Sequence, residues 1–485
     1  MKSLLLNGFM GTGKSTVGPL VAARLGLPFV DTDEILASEA GAPVPETWRR
    51  EGEAKFRERE HAILERLLGD GSPRVIALGG GTLLAREVRH RALDRAVVVT
   101  LTAAPDEILR RVGDVSTRPN LASSDPARRV RDLLELRAEA YAECHASLAT
   151  DGVDPDDVAQ AAAAVYARDP VALPLGVRTY VIDVAFDSPE ALTDAIARVA
   201  PSSLVVVTDT TVRRARGDAL DRAISHLALP SIEVTLPHGE EHKTLTSVST
   251  VWDAALGAGV DRDTLVVAFG GGVTSDLAGF AASTLLRGVR FVTAPTTLLA
   301  MADASVGGKT GIDHPAGKNL VGTIYQPSGV VIDTAHLTTL PVRELRAGLA
   351  EIVKIALATS ASLFERLESE GALLLDPRSP ALREIVRESV ALKARVVRDD
   401  ERESGRRAIL NLGHTVGHAL EASSGFRKYL HGEAVALGTV AELAVTMRAG
   451  LTAPDVLPRT ERLLRAVGLA TETGRDALRA ALRFV

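Results

Sequence analysis

Cysteine, aromatic residues and long apolar runs are scarce in this sequence. Its single cysteine, Cys144, cannot form a disulfide within the chain and offers no zinc-finger spacing, which favours a reducing cytoplasm. Aromatic residues make up only 4%, a composition that suits Ala-, Val- and Leu-rich α/β packing better than a β-sandwich. No run of about 18 apolar residues occurs, so we expect no membrane span. The net charge of −6 argues against general affinity for nucleic acid or anionic membranes.

The chain is long enough for two or three domains, because its 485 residues exceed what one hydrophobic core usually serves. Over residues 1–168, short apolar runs alternate with helix-period segments, which predicts β-α units and a parallel sheet. A boundary rich in proline and glycine, DPVALPLGVRTY, separates this region from a second β-α region over 169–335. Residues 336–485 should be largely helical. The predicted fold class is therefore α/β, with a mostly α-helical domain at the end.

A glycine-rich phosphate-binding motif follows the first apolar run. GFMGTGKST, from Gly8 to Thr16, fits the pattern G-x-x-x-x-G-K-[ST], with a predicted strand before it and a predicted helix after it. In this motif, backbone N–H groups surround phosphate oxygens, the lysine adds a positive charge and the serine hydroxyl meets Mg²⁺. The predicted ATP-binding residues are Gly11, Thr12, Gly13, Lys14, Ser15 and Thr16.

Charged residues of the same region indicate what receives the phosphate. Asp31 and Asp33 in DTD follow an apolar strand, so both carboxylates should lie at its C-terminal end, facing the phosphate loop. One could hold Mg²⁺ while the other accepts a proton from a substrate hydroxyl. Arg57, Arg137 and the GGG turn at 79–81 could bind an acidic acceptor, because guanidinium groups match carboxylates. Each arginine alone also fits a solvated helix face.

Together, the phosphate loop, DTD, GEAKFR, LGGGT and RAEAY resemble shikimate kinase over essentially all of residues 1–168. The resemblance implies a P-loop kinase domain that uses ATP to phosphorylate the shikimate 3-hydroxyl, with Lys14 catalytic and with Ser15 and Asp31 at Mg²⁺. Arg118 in STRPN would be a catalytic lid arginine that contacts ATP. The implied shikimate-binding residues are Asp33, also catalytic, Arg57, Gly80 and Arg137. A gluconate-type or adenylate-type kinase is the alternative, and paired arginines favour a carboxylate acceptor.

Histidines cluster near the other end of the chain. Only 11 histidines occur in 485 residues, yet NLGHTVGH and the nearby YLHGE contain three of them. His414 and His418 stand four apart, which on a helix puts both rings on one face, and neutral imidazole is a preferred ligand of zinc. A metal site is one explanation, and a core or capping histidine is the other. Spacing alone favours His414 and His418 as a pair of ligands.

Glycines and lysines upstream of the histidines predict a second anion-binding site. GGGVTSDLAGF follows the apolar run TLVVAF, which suggests close approach of a dinucleotide pyrophosphate, although the G-x-G-x-x-G spacing is absent. DASVGGKTG and GKNLVG place Lys309, Lys318 and Asn319 in a glycine-rich stretch typical of an anion-binding wall. In GLAEIVK, Glu351 and Lys354 share one helical face, where a surface ion pair is the alternative.

An ordered set of motifs resembles 3-dehydroquinate synthase over roughly residues 175–440, namely PHGEEHK, GGGVTSDLAGF, APTTLLA, DASVGGKTG, GKNLVG, GLAEIVK, NLGHTVGH and YLHGEAV. The resemblance implies an NAD-binding α/β domain, a helical metal-binding domain and an active site between them. It also implies conversion of 3-deoxy-D-arabino-heptulosonate 7-phosphate (DAHP) to 3-dehydroquinate and phosphate, with NAD⁺ restored in each turnover. The ligands of Zn²⁺ or Co²⁺ would be Glu351, His414 and His431, with His418 turned toward substrate.

The same resemblance assigns the other site residues of this half. The implied catalytic residues are Lys309, Lys354 and His418. The implied NAD contacts are Asp209, Glu240, Lys243, Gly271, Gly272, Asp276, Thr296, Thr297, Lys309, Lys318 and Thr339. The implied DAHP contacts are Asp276, Arg287, Lys309, Asn319, Lys354, Lys393, Arg407, Asn411 and His418. A homodimer through this half is expected from the family.

Two departures from the family pattern stand out. Thr274 and Ser275 occur where the family often has an aliphatic residue and a glycine. After LHGEAV the family continues to an Asp-Lys-Lys segment whose lysine reaches substrate, whereas this chain ends in DALRAALRFV. The third region is therefore expected to be short at its end. Three alternatives follow for this half: another sugar-phosphate cyclase, a metal-dependent polyol dehydrogenase, or an inactive scaffold for the kinase.

Overall fold

The computed structural model describes residues 2–113, 121, 124–425, 427–481 and 483–484. They divide into two units, Met1–Val181 and Ile182–Val485. The finer division into 1–168, 169–335 and 336–485 stays a prediction. Within the described residues, every helix falls short of the length or the hydropathy that a membrane span requires.

The first unit contains a parallel sheet with the strand order β2-β3-β1-β4-β5. The strands of this unit are β1 Ser3–Asn7, β2 Phe29–Asp31, β3 Val75–Ala77, β4 Ala96–Thr102, β5 Ala146–Ala149 and β6 Val171–Leu173. Its helices are α1 Lys14–Leu25, α2 Thr32–Ala40, α3 Val44–Gly69, α4 Arg86–Arg95, α5 Pro105–Val112, α6 Pro126–Leu136, α7 Ala138–Ala142 and α8 Pro155–Arg168. Helix α3 is interrupted at Gly52, whose φ of 78° lies outside the helical region.

The apolar runs of the first region form the central strands of this sheet. All five residues of β1 are buried, as are the first six of β4, because helices cover both faces of a parallel sheet. The predicted last helix of the region is also present as α8, and the Asp154 side chain caps it by accepting the N–H of Asp156. Strand β5, ASLA, carries no apolar run and escapes prediction from sequence.

His145, immediately before β5, is a buried neutral histidine in this unit. Its side chain is 3% exposed, and its Nδ1 accepts the backbone N–H of Val98 at 2.9 Å. Burial lowers the pKa of His145 from 6.5 to about 3. As the pH falls below the unfolded pKa, the unfolded chain binds a proton that the folded chain rejects, so this ring destabilises the fold progressively between about pH 6.5 and pH 3.

We expect His145→Asn, whose amide oxygen can still accept from Val98, to remove that dependence. Relative to the variant, the parent should lose about 2 kcal/mol of unfolding free energy between pH 6.5 and pH 4.5. Trp48 and Trp252 are the two tryptophans of the chain, so in a Trp252→Phe background urea melts followed by fluorescence report the first unit. Equal pH slopes for parent and variant would contradict a neutral buried His145.

The second unit is built on a larger parallel sheet whose strands lie in the order β7-β14-β11-β10-β8-β9. These strands are β7 Tyr180–Ala185, β8 Leu204–Asp209, β9 Ser231–Leu236, β10 Leu265–Gly270, β11 Arg290–Pro295 and β14 Gly329–Asp333. Helices α9 Pro189–Val199, α10 Thr210–Ser225, α11 Leu245–Gly257 and α12 Gly272–Thr284 connect them. The chain runs from β8 outward to β9 and then returns to place β10 on the other side of β8. The strand order therefore reverses between β8 and β10, where ligands of open α/β sheets bind.

A β-hairpin and a helical array complete the second unit. The hairpin pairs β12 Lys309–His314 with β13 Gly317–Ile324, antiparallel. The helices are α13 Val342–Thr359, α14 Ala361–Glu370, α15 Pro380–Asp399, α16 His414–Ser423, α17 His431–Arg448, α18 Val456–Ala466 and α19 Arg475–Ala481. The helical character predicted for this end of the chain is confirmed. The hairpin was not predicted, because its glycine- and lysine-rich motifs indicated an anion-binding wall.

Two candidate active sites

The phosphate loop connects β1 to α1, as its motif predicts. Gly8 has a φ of 131°, and a Cβ there would lie 2.2 Å from the carbonyl oxygen of Leu101, so only glycine fits. The Lys14 ammonium donates to the carbonyls of Gly8 and Phe9 at 2.8 and 2.9 Å, which holds it across the loop. Burial lowers the pKa of Lys14 to about 8. No described side chain caps the N-terminus of α1, which leaves backbone donors for an anion.

The two aspartates lie beside this loop. The Ser15 hydroxyl donates to Asp31 Oδ2 at 2.8 Å, which brings together two oxygen atoms of the kind that Mg²⁺ prefers. Asp31 Oδ1 caps α2 by accepting the backbone N–H of Asp33 at 2.9 Å. Asp31 thus ends β2, and Asp33 lies in the first turn of α2. Both carboxylates occupy the C-terminal end of the strand, as expected.

A small cavity of about 90 Å³ lies next to the loop. It is lined by Met10, Asp33, Val44, Pro45, Trp48, Phe56, Arg57, Glu60, Gly79, Gly80, Gly81 and Arg137. The predicted acceptor residues Arg57, Gly80 and Arg137 are therefore brought together with Asp33. Arg118 lies outside the described residues.

Both arginines of this cavity are held by specific contacts. Arg57 stacks against Trp48 and forms an ion pair with the buried Glu60. A Cβ on Gly81 would lie 2.2 Å from the Arg57 guanidinium carbon, so glycine is needed for the guanidinium to occupy this place. Arg137 donates to the carbonyl of Gly80 at 3.3 Å. Each arginine is thereby fixed as a part of the cavity wall and is not a solvated helix face.

Glu60 and Tyr141 are supporting residues of this cavity that motif reading misses. Glu60 accepts the Thr82 hydroxyl at 3.0 Å as well as the Arg57 ion pair, and burial raises its pKa despite that partner. The Tyr141 hydroxyl donates to the carbonyl of Gly80 at 2.6 Å. Glu60 stands three residues after Arg57 on a helix, a spacing that could have revealed the pair. Tyr141 is the last residue of RAEAY, so that motif could have drawn attention to it, although its contact with Gly80 depends on tertiary folding.

A much larger cavity of about 850 Å³ lies in the second unit. The predicted residues among those lining it are Glu240, Lys243, Gly272, Asp276, Lys309, Lys318, Asn319, Lys354, Lys393, Arg407, Asn411, His414, His418 and His431. Seven further predicted residues are not part of the lining, namely Asp209, Gly271, Arg287, Thr296, Thr297, Thr339 and Glu351. The motifs thus converge on one space, and six of the eleven predicted dinucleotide contacts are part of its lining.

The dinucleotide motif begins where the strand order reverses. Gly271 ends the turn after β10 and precedes α12, and a Cβ there would lie 3.2 Å from Thr297. Asp209 ends β8, where its Oδ1 accepts the N–H groups of Thr211 and Val212. Thr274, one of the departures from the family pattern, lies with its hydroxyl 3.5 Å from the other oxygen of Asp209. Thr274 therefore lies next to Asp209, at the crevice where the strand order reverses.

Lysines of the large cavity are matched with carboxylates. Lys243 donates to Asp276 at 2.6 Å, and Lys309 forms an ion pair with Glu403. Lys393 donates to Asp303 at 2.7 Å. Burial lowers the pKa of Lys393 to about 8, so this ammonium is easier to deprotonate than an ordinary lysine.

Glu351 and Lys354 form a buried ion pair, which rules out the surface alternative. Both side chains are at most 2% exposed. Burial opposes the charge of Lys354, but Glu351 and Asp303 hold its pKa above the usual value. The other oxygen of Glu351, Oε1, is buried and lacks a hydrogen-bond partner of good geometry among the described residues. The Nε2 of His431 lies 3.4 Å from this oxygen.

Three histidines meet at this end of the cavity. The ring centres of His414 and His418 are 5.1 Å apart, and that of His431 lies 5.3 Å from His414. One nitrogen from each ring falls within 4.8 Å of the others, close enough to share a metal ion. The ring of His418 is thus as near as its neighbours, and its predicted exclusion from the ligand set stays a prediction. Burial lowers the pKa of His414 to about 4 and lowers that of His418 as well.

Asp303, Glu403 and Glu421 line the cavity although motif reading gave them no role. Asp303 lies in DASVGGKTG, so its neighbours could have drawn attention to it. Glu403 and Glu421 carry no local sequence signal. Their place in the site follows only from the lysines and histidines that tertiary folding brings next to them. Arg287 and Thr339, by contrast, are predicted contacts that the structure does not bring to the lining of the cavity.

Both parts of the chain match known protein families. Residues 233–347 match the 3-dehydroquinate synthase N-terminal family, and residues 348–485 match the 3-dehydroquinate synthase C-terminal family. Residues 10–166 match shikimate kinase. The chain belongs to the 3-dehydroquinate synthase family and carries a shikimate kinase domain. It is a bifunctional shikimate-pathway enzyme, and the fusion predicted from the motifs is confirmed.

Individual relatives agree with the family assignment. The 3-dehydroquinate synthase of Gloeobacter violaceus is 47% identical over 298 residues, which cover 61% of this chain and 82% of the relative. The solved 2-epi-5-epi-valiolone synthase of Streptomyces hygroscopicus subsp. jinggangensis 5008, with NAD⁺ and Zn²⁺ bound, is 32% identical with a TM-score of 0.57, over 63% of this chain and 85% of that one. A solved 2-deoxy-scyllo-inosose synthase with carbaglucose-6-phosphate, NAD⁺ and Co²⁺ is 28% identical with a TM-score of 0.60, over 65% and 86%.

Proposed function

We propose that the first unit phosphorylates shikimate at its 3-hydroxyl with ATP, and that the second converts DAHP to 3-dehydroquinate and phosphate. The observation that carries the kinase assignment is a P-loop beside a cavity walled by two fixed arginines. The synthase assignment is carried by three histidines and a buried carboxylate at one end of a lysine-rich cavity. The substrates are small molecules. We also propose that the protein is cytoplasmic and forms a homodimer through the synthase half.

In the kinase site, the fixed arginines orient the acceptor. Arg57 and Arg137 would bind the shikimate carboxylate, and Gly80 would let the ring approach the backbone. Asp33, which lines the same cavity, would accept the proton of the 3-hydroxyl as that oxygen attacks the phosphorus. Lys14 would neutralise the charge of the transferring phosphoryl group. Arg118 is proposed as the lid arginine on the family resemblance alone.

The P-loop residues fit MgATP. Backbone N–H groups of the loop would bind the phosphates, and Ser15 and Asp31 would supply adjacent oxygens for Mg²⁺. When bound, the nucleotide would supply the phosphoryl group and the ion would draw charge from its oxygens. These residues would therefore position ATP, and Asp33 would accept the proton of the shikimate 3-hydroxyl.

The residues at the strand-order reversal fit NAD⁺. A side chain on Gly271 would crowd Thr297, and Gly272 at the start of α12 lines the cavity, so backbone approaches the place for a pyrophosphate. NAD⁺ would take up a hydride from the substrate and return it. Asp209, Glu240, Lys243, Thr296, Thr297 and Lys318 are proposed as further NAD contacts. Thr339, away from the cavity lining, is retained on the resemblance alone.

The metal-ligand set proposed for Zn²⁺ or Co²⁺ is Glu351, His414 and His431. The buried Glu351 Oε1 forms no well-formed hydrogen bond among the described residues and lies next to His431, so its chemistry fits that of a metal ligand. The ion would lower the pKa of a substrate hydroxyl and polarise the ketone. Lys354, paired with the other oxygen of Glu351, holds that carboxylate in place.

The remaining cavity residues would bind the anionic groups of DAHP and move protons. Lys309, Lys393 and Arg407 offer positive charge for its phosphate and carboxylate, with Asp276, Asn319 and Asn411 as proposed polar contacts. His418 lines the cavity as a neutral imidazole, because burial lowers its pKa, and it would relay a proton during loss of phosphate. Arg287, which does not line the cavity, is retained on the resemblance alone.

A two-substrate assay on the intact chain tests both proposals. With shikimate and ATP, we expect shikimate 3-phosphate and ADP. With DAHP, Zn²⁺ and NAD⁺ at a small fraction of the DAHP concentration, we expect phosphate and 3-dehydroquinate in equal amounts without net NADH, because the hydride returns in each turnover. Net NADH would favour a polyol dehydrogenase, a different carbocycle would favour another cyclase, and no phosphate release would favour a scaffold.

A further inference from the structure

Glu421 is a buried carboxylate at the metal end of the large cavity. It lies on α16 with His414 and His418, at positions i, i+4 and i+7, which share one helical face. Its exposed fraction is 3%. A carboxylate this deeply buried needs a partner, since an unpaired buried charge is strongly unfavourable.

The principal partner of Glu421 is the ring of His431. Glu421 Oε2 lies 3.2 Å from His431 Nδ1, while His431 Nε2 lies 3.4 Å from Glu351 Oε1. The two nitrogens of one imidazole thus face two carboxylates on different helices, α16 and α13. A histidine that binds a metal commonly donates its other N–H to a carboxylate, which fixes the tautomer and the ring orientation.

We propose that Glu421 is a positioning residue of the metal site, a role that rests on the proposed ligand set. It accepts the Nδ1 proton of His431 and so leaves Nε2, on the side of Glu351, as the nitrogen that binds the ion. No bond is made or broken in this role. The carboxylate adds basicity to the ring and prevents it from rotating.

A second contact of Glu421 offers a competing explanation. Lys318 on the hairpin strand β13 lies 3.7 Å from Glu421 Oε1, so the carboxylate could serve only to fasten the hairpin. The two roles differ in one measurable respect. Fastening the hairpin would make metal affinity depend on Lys318, whereas positioning His431 makes it independent of Lys318.

The test measures metal binding directly on the full chain. Zn²⁺ dissociation constants come from competition with a chromophoric chelator, and the visible absorption bands of Co²⁺-loaded protein report the ligand geometry. We expect Glu421→Ala to weaken Zn²⁺ binding about 10- to 100-fold and to change the Co²⁺ spectrum. Glu421→Gln, whose amide oxygen can still accept from Nδ1, should recover part of the affinity.

Matched variants separate the possible outcomes. Ser423→Ala, which removes a hydroxyl on the same helix that donates to the carbonyl of Leu420, should leave affinity unchanged, and Lys318→Met should stay within about twofold. Wild-type affinity in Glu421→Ala, or an equal loss in Lys318→Met, would overturn the positioning role. His431→Ala tests the metal site itself: if it binds Zn²⁺ normally the proposed ligand set fails, and if it alone loses Zn²⁺ only the role of Glu421 fails.

Discussion

Lys14→Ala is expected to lower shikimate phosphorylation at least about 100- to 1,000-fold, while phosphate release from DAHP continues at the parent rate. The ammonium of Lys14 is held across the phosphate loop by the carbonyls of Gly8 and Phe9. Alanine removes the charge that stabilises the transferring phosphoryl group and leaves the loop backbone in place. A coupled ADP assay and a phosphate assay on the same preparation measure the two rates.

Lys55→Ala is the matched control for this prediction. Lys55 is exposed on α3 of the same unit, so its loss removes one lysine without touching the loop. Both activities should remain at the parent level in this variant. A parallel fall of both activities in Lys14→Ala would show that the sites are not independent, and unchanged phosphorylation would reject the P-loop assignment.

His431→Ala is expected to abolish phosphate release from DAHP, with a fall of about 1,000-fold or more, because Lewis-acid stabilisation worth several kcal/mol is lost. Shikimate phosphorylation should be unaffected. Glu351→Gln should act in the same direction, since it removes the only carboxylate of the proposed ligand set. Metal content of the purified variants, measured by atomic emission, should fall together with the rate.

His418→Ala distinguishes the two possible ligand sets. If Glu351, His414 and His431 hold the ion, His418→Ala should lose activity yet retain bound metal. If the three histidines hold it instead, metal content should fall as it does in His431→Ala. His226→Ala is the control, because His226 is exposed at the end of α10, and it should change neither rate nor metal content.

Elements with strong local signals could be predicted from the sequence. The runs SLLLN, RVIAL, AVVVTL, LVVVTD and TLVVAF form buried parallel strands, because strands covered on both faces need continuous apolar residues. The phosphate loop and the DTD segment also hold their predicted places, since glycine and cap chemistry act within a few residues. His414 and His418 share a helical face for the same local reason.

Features that depend on distant parts of the chain could not be predicted in this way. The ion pairs of Asp303 with Lys393 and of Glu403 with Lys309 join residues about 90 positions apart. No local sequence pattern predicts such pairs. The third histidine of the cluster belongs to a separate helix, so spacing favoured His414 and His418 as a pair. Only the family resemblance brought Glu351 and His431 into the proposed ligand set.

The matched charges of the large cavity have a consequence for how substrate arrives. The lining contains six lysine and arginine side chains and five carboxylates, so the cavity is close to electrical neutrality before anything binds. A nearly neutral cavity exerts little attraction on a distant anion. The rate of substrate binding should therefore depend only weakly on ionic strength. The phosphate and carboxylate of DAHP would enter by exchange, each taking over a lysine that releases its own carboxylate.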